Sequence, residues 1–131
     1  MTVNVTWFNE EKTLIHYDFE GRWTWEDLYK AIDDALALLN SVTHRVDIFL
    51  DTSNSVSVPN LNVAGLRRVA SAPTATHPNT GIFVMVGLKS FIRIAFDIFA
   101  RIYPRAIRQY RIAISIEDAI NIVAKERATI A

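Results

Sequence analysis

Two short polar stretches carry the residue types that chemistry needs. In Asp51-Thr52-Ser53 a carboxylate and two hydroxyls follow directly on an apolar run, VDIFL. In Gly87-Leu88-Lys89-Ser90 an ammonium and a hydroxyl follow on another, GIFVMV. Strands that end this way present those groups at the carboxyl edge of a sheet, where open α/β sheets bind ligands. Lys89 and Ser90 also open an expected helix, whose free N–H groups and dipole favour an anion or other polar ligand. The glycine-rich turn of a phosphate-cradling loop is missing there. The plainer reading of Asp51 and Ser53 is an Asx-turn that ties the loop to itself. The three histidines, His16, His44 and His77, fall on a strand and two loops without metal-ligand spacing. The chain has no cysteine, which excludes disulfides, thiol catalysis and cysteine-held metals. An enzyme would need Asp51, Ser53, Lys89 and a histidine to converge. The sequence gives no reason to expect that, so no catalytic residue, metal or cofactor is expected.

A third stretch, LKSFIRIAFDIFARIY, is apolar beyond what a surface helix requires. Lys89, Arg93, Asp97 and Arg101 recur every four residues as one narrow polar stripe. Phe91, Ile94, Ala95, Ile98 and Ile102 lie on one flank, and Ile92, Phe96, Phe99 and Tyr103 on the other. Deep burial, a dimer interface or an apolar ligand site would each account for it, since exposed aromatic patches mark partners. Arg101, Arg105, Arg108 and Arg111 follow closely, placed for lipid headgroups or another anionic surface.

The elements that must position these residues are readable in outline. VNVTW and TLIHYDFEG alternate apolar and polar residues and predict an antiparallel hairpin. Thr24 with Asp27 three residues on predicts a capped helix whose stripe runs from Trp25 through Leu28, Tyr29, Ile32, Ala35, Leu36 and Leu39. RVDIFLD is a strand. Asn60 or Asn62 caps a second helix through Leu61, Val63, Leu66, Val69 and Ala70. PTATHPNT reads as loop, and GIFVMVG as a strand covered on both faces. The third helix runs from about 88 to 103 and stops at Pro104. YRIAISI alternates Tyr110, Ile112, Ile114 and Ile116 as a last strand. Ser115 and Asp118 then cap EDAINIVAKERA. The order β-β-α-β-α-β-α-β-α predicts an α/β single domain over 1–131 with a mostly parallel five-stranded sheet and one antiparallel edge strand.

That order, with GRWTWEDL entering the first helix, VDIFLDTS closing the third strand and YRIAISIEDAINIVAKE at the end, resembles the STAS superfamily and its SpoIIAA-like fold. The closer likeness is to its short stand-alone bacterial STAS/SEC14-like branch. Phospho-regulated members carry a strand-end aspartate, which Asp51 matches, and a serine or threonine at the start of the next helix. Here that start reads Pro59-Asn60-Leu61-Asn62-Val63, without a hydroxyl. The resemblance therefore implies a domain acting through protein contacts without that phosphoacceptor. It also implies, for the STAS/SEC14-like branch, binding of apolar or lipid-like molecules under helices that open over the sheet.

Bulk properties set the outer limits. The chain has 131 residues, of which 50% are hydrophobic and 21% charged, and formal net charge is zero. Residues 1–60 hold ten acids and four bases, and residues 61–131 the reverse. Such a division makes either a chance grouping or a basic surface for an anionic partner. Zero net charge and the lack of a known motif count against nucleic acid. No signal-like start or membrane-length apolar run is present, so a cytoplasmic protein with at most peripheral membrane contact is expected. Two functions follow. The first is a homodimeric, non-enzymatic interaction domain working through the second and third helices. The second is a binder or carrier of an apolar ligand between those helices and the sheet. The contact residues expected are Leu66, Phe91, Ile92, Phe96, Phe99 and Tyr103, with Asp51, Ser53, Lys89 and Ser90 at the sheet edge. Phe91, Phe96 and Phe99 separate the two functions: outward for a partner surface, inward for a carrier.

Overall fold

The computed structural model describes residues 2–130. Strands β1 (Thr2–Trp7) and β2 (Leu14–Glu20) form the hairpin, closed by the polar turn between them. Helix α1 (Trp25–Asn40) starts at a reciprocal cap. The Asp27 N–H donates to Thr24 Oγ1 at 3.1 Å, and the Thr24 N–H donates to the Asp27 carboxylate at 2.9 Å. Leu28, Ala31, Ile32, Ala35 and Leu39 form its buried face. Then come β3 (Val46–Asp51), α2 (Val63–Ala70), a single turn α3 (Pro73–Thr76), β4 (Thr80–Val86) and α4 (Ser90–Ile102). A 3₁₀ turn (Ala106–Gln109), β5 (Tyr110–Ala113) and α5 (Ile116–Ile130) complete the chain.

The sheet order is β1-β2-β3-β4-β5, with β1–β2 antiparallel and every other pair parallel. Because each parallel strand joins the previous one on the same side, right-handed crossovers place all connecting helices on one face. That face carries Tyr17, Phe19, Leu50 and Phe83 from the strands, under α1 to α4. Only α5 covers the opposite face, where Phe49, Ile82, Val84 and Val86 meet Ala119 and Val123. The β1–β2 half of that second face stays polar, with Asn4 and Thr6 exposed and His16 and Asp18 half-buried.

Three local expectations are corrected. Pro73–Thr76 is a helical turn, because proline is pre-set for a first helical position. The last strand ends at Ala113, although the apolar alternation continues to Ile116. Ser115 Oγ takes the Asp118 N–H and Asp118 takes the Ile114 N–H, both at 3.1 Å, so the cap overrides the alternation. The third expected helix starts at Ser90 and ends at Ile102, shorter at both ends than 88 to 103.

One charge anchors the amino ends of the parallel strands. Asp47 has no exposed surface although it sits in an apolar strand. Its Oδ1 accepts from Arg45 Nη2 at 2.9 Å and from the backbone N–H of Ile82 at 2.8 Å. Its Oδ2 accepts from Arg127 Nε at 2.9 Å, and Arg127 Nη2 also donates to the Thr13 carbonyl at 2.8 Å. The pairing of β3 with β4 shifts register between Val46 and Ile48, opposite Thr80 and Phe83. One extra β4 residue at that bulge would leave a buried N–H without a partner, and the Asp47 carboxylate takes it. A Cβ at Gly81 would collide with the Asp47 carboxylate and with the Arg45 guanidinium, so the cluster needs glycine there.

Replacing Asp47 with alanine strips acceptors from both arginines and from Ile82. We expect Asp47→Ala to lower the unfolding free energy by roughly 3–5 kcal/mol. Arg127→Ala, which removes a half-exposed side chain, should cost about 1–2 kcal/mol. Urea denaturation of the three proteins at one pH checks both values, and equal losses would contradict the hub role of the carboxylate.

Candidate functional site

On the four-helix face, α1 and α3 come close to the sheet, whereas α2 and α4 make few close backbone approaches to it. Small residues account for the first: Ala31, Ala35, Ala72 and Ala75 lie at those contacts. Long side chains account for the second, with Leu66 on α2 and Ile92, Phe96 and Phe99 on α4 pointing inward. The space left between is a cavity of about 150 Å³. Its floor is Tyr17, Phe19, Leu50, Phe83, Met85 and Tyr110. Trp25, Leu28 and Ile32 of α1 form one wall. Val58, Pro59 and Leu61 border it, and Leu61, 37% exposed, marks the rim.

The lining is almost wholly apolar because its indoles are already partnered. Trp23 Nε1 donates to Ser55 Oγ and Trp25 Nε1 to the Asn60 carbonyl, each at 2.9 Å. The Trp25 ring also lies where a Cβ on Gly65 would stand, which seats α2 directly on α1. Tyr110 stacks on Phe83 with ring centroids 5.0 Å apart and meets Phe96 and Phe99, both at 5.8 Å. Tyr17 is 2% exposed. Burial pushes the Tyr17 phenol up, with Tyr110 and Asp34 adding to it, and burial alone pushes the Tyr110 phenol up.

The two flanks of α4 therefore have different fates. Ile92, Phe96 and Phe99 face the cavity. Ile94, Ile98 and Ile102 remain 61%, 37% and 49% exposed, beside an exposed Arg93–Asp97 pair. Phe91 is half-buried and lies outside the cavity lining. Tyr103 packs on Phe99 and lines a shallow groove with Ile102 and Arg105. Arg101, Arg105 and Arg108 are exposed and make no ion pair among the described residues. Arg111 lies against Arg108, donating to its carbonyl at 2.8 Å, and pairs with Glu126 of α5 at 2.6 Å.

The polar sheet edge is a separate assembly. Asp51 belongs to the α5 side of the sheet, so it does not meet the aromatic residues of α4. His16 Nε2 lies 3.0 Å from Asp51 Oδ2, and the Ser53 hydroxyl donates to Asp51 Oδ1 at 2.7 Å. The Ser53 N–H donates to the same oxygen at 3.1 Å, closing the Asx-turn. Lys89 turns away and donates to the Ser55 carbonyl at 3.0 Å, and Ser90 stays exposed at the start of α4. Thr52 bonds the Val86 carbonyl at 2.9 Å and is the one residue of the three that lines the cavity. Gly87, at φ +69, lets the chain turn from β4 toward α4, and a Cβ there would strike Ser53 Oγ.

Asp51, Ser53 and His16 thus converge, but Lys89 does not join them. The serine hydroxyl is bound to the carboxylate and not to the imidazole, so the three do not line up as a serine–histidine–carboxylate relay. Burial alone would raise the Asp51 carboxyl. The Ser53 hydroxyl, the His16 ring and the Ser53 backbone N–H outweigh it and hold the carboxyl below the usual carboxylate range. Among the described residues no three His, Asp or Glu side chains gather closely enough to hold a metal ion. No described helix is long and apolar enough to cross a membrane.

No family model matches the chain, and no curated protein matches its sequence.

Sequence reasoning located Leu66, Ile92, Phe96 and Phe99 in what became the cavity wall. It missed Tyr17, Tyr110 and Trp25. Each sits on an apolar stripe that reads as ordinary core, and only the stand-off of α2 and α4 exposes them to open space.

The depressed Asp51 pKa has a defined pH signature. A folded value below the unfolded value, about 3.9, gives stability that is complete above that value and lost as pH falls through the folded one. The stability gap between the wild type and Asp51→Asn should narrow steadily as pH drops from about 5 toward about 2.5. Urea midpoints of both proteins across that range test it, and a gap that widens on acidification would contradict the assignment.

Proposed function

We propose that this chain is a non-enzymatic binding domain that holds a small apolar molecule between α2, α4 and the sheet. The carrying observation is the cavity of about 150 Å³ with Phe96 and Phe99 turned into it. An apolar cavity of that size takes a molecule like benzene. That scale suits a single ring or a short branched chain, and a full acyl chain would require α2 and α4 to lift. Small-molecule sites are typically concave and mostly apolar, with few polar groups, as here. The STAS-like reading is supported by the element order and by Asp51 at the end of β3. Helix α2 begins at Asn62, which caps it by accepting the Gly65 N–H at 2.7 Å, so the helix start offers no hydroxyl for phosphorylation.

Trp23 and Trp25 in the lining make tryptophan fluorescence a direct readout. Ethylbenzene should change that fluorescence saturably and raise the melting temperature, as a ligand of the folded state does. Ala95, which lines the cavity although its spacing groups it with the exposed Ile94 and Ile98, offers the block. Ala95→Leu should abolish both responses while stabilising the free protein by roughly 0.5–2 kcal/mol, as cavity filling does. Identical responses in the two proteins would place the probe elsewhere and sink the reading.

A second reading rests on the outer flank of α4, where Ile94, Ile98 and Ile102 stay exposed. This stripe supports a homodimer or a protein partner. If the protein is a dimer by light scattering, Ile98→Glu should convert it to a monomer, and a dimer that survives the substitution excludes this surface.

A further inference from the structure

The cavity lining holds three hydroxyls without a hydrogen-bond partner among the described residues, those of Tyr17, Tyr110 and Thr74. The hydroxyls of Tyr17 and Tyr110 make no hydrogen bond to any described residue, and both tyrosines line the cavity. Yet no described buried side-chain nitrogen or oxygen is sealed away without a partner. Both phenol oxygens therefore keep accessible surface. Tyr17 has almost none toward bulk solvent, being 2% exposed under α1. Tyr17 borders the cavity, as Tyr110 does. Both indoles, Thr52 and Lys89 already have acceptors, and Thr74 stands on α3, across from the two phenols on the sheet floor.

We propose that Tyr17 and Tyr110 select among ligands of the cavity's size, donating hydrogen bonds to a neutral oxygen acceptor such as a carbonyl on an otherwise apolar ring or short chain. This rests on the cavity reading above and narrows its ligand class. Two arguments favour a neutral acceptor over an anion. The walls offer no cation: Lys89 is committed to Ser55, and Arg101, Arg105 and Arg108 lie outside the lining. A charge moved into such surroundings without a partner bears a heavy desolvation cost. The phenols themselves resist ionisation, since burial pushes both up, so they remain donors at any ordinary pH. A few placed polar groups on an apolar wall are how such sites fix ligand orientation.

The test compares ethylbenzene with acetophenone, single-ring molecules of nearly equal size of which only the second carries a carbonyl. Both are titrated by tryptophan fluorescence into the wild type, Tyr17→Phe and Tyr110→Phe. Each substitution should weaken acetophenone roughly threefold to tenfold, the worth of one hydrogen bond, and leave ethylbenzene affinity unchanged. Equal losses for both probes, no loss for either, or binding of ethylbenzene alone would overturn the role of the phenols while the cavity reading stands. Failure of both probes to bind the wild type would overturn the cavity reading, and this inference with it.

Discussion

A single buried carboxylate sets the terms for the rest of this fold. Asp47 stands at the start of an apolar strand, fully removed from water, and a lone charge there would be prohibitively expensive. It is tolerable because guanidinium groups arrive from two directions and a bulged backbone N–H fills a remaining lone pair. Those partners come from β3's own approach, from β4 and from α5. The hairpin joins through the Thr13 carbonyl that Arg127 also bonds. Satisfying one charge therefore fixes how α5 and the hairpin sit against β3 and β4 at the amino end of the sheet. Gly81 is part of that arrangement, since only a missing side chain leaves room for the ion cluster.

The opposite end of the sheet is built on a different principle. There the loop after β3 is held by many short polar contacts, while α2 and α4 rest on long side chains and not on close backbone packing. A layer supported that way cannot reach the density of a helix seated on alanines, and open volume results. The rigid end and the open end are consequences of side-chain size: alanines under α1 and α3, leucine and phenylalanine under α2 and α4.

Much of the architecture was legible in the residue pattern. The Thr24–Asp27 box, the alternating hairpin and the unbroken apolar β4 each have a local cause, so local reading finds them. The strand order was not legible, because it depends on which side each crossover returns. Asp47 gave no warning: its second arginine lies 80 residues away, and in sequence the aspartate only interrupts a strand. The excess hydrophobicity of α4 was visible, but its meaning was not. One flank faces a void and the other faces outward, and periodicity cannot tell these from burial. The strand-end aspartate and serine were found as polar residues at an edge, yet their partner His16 is brought in by β2, which sequence spacing does not reveal.

The sequential strand order has a consequence for how the chain is made. Every strand pairs with the one synthesised just before it, so no position in the sheet stays vacant awaiting a later segment. The sheet can grow from its first edge to its last in the order of translation. Arg127 is the exception, a partner of Asp47 that lies 80 residues further along the chain. Until it is made, Asp47 has Arg45 as its only guanidinium partner among the described residues. The pair that ties α5 to β3 is thus the last part of the Asp47 cluster to be made.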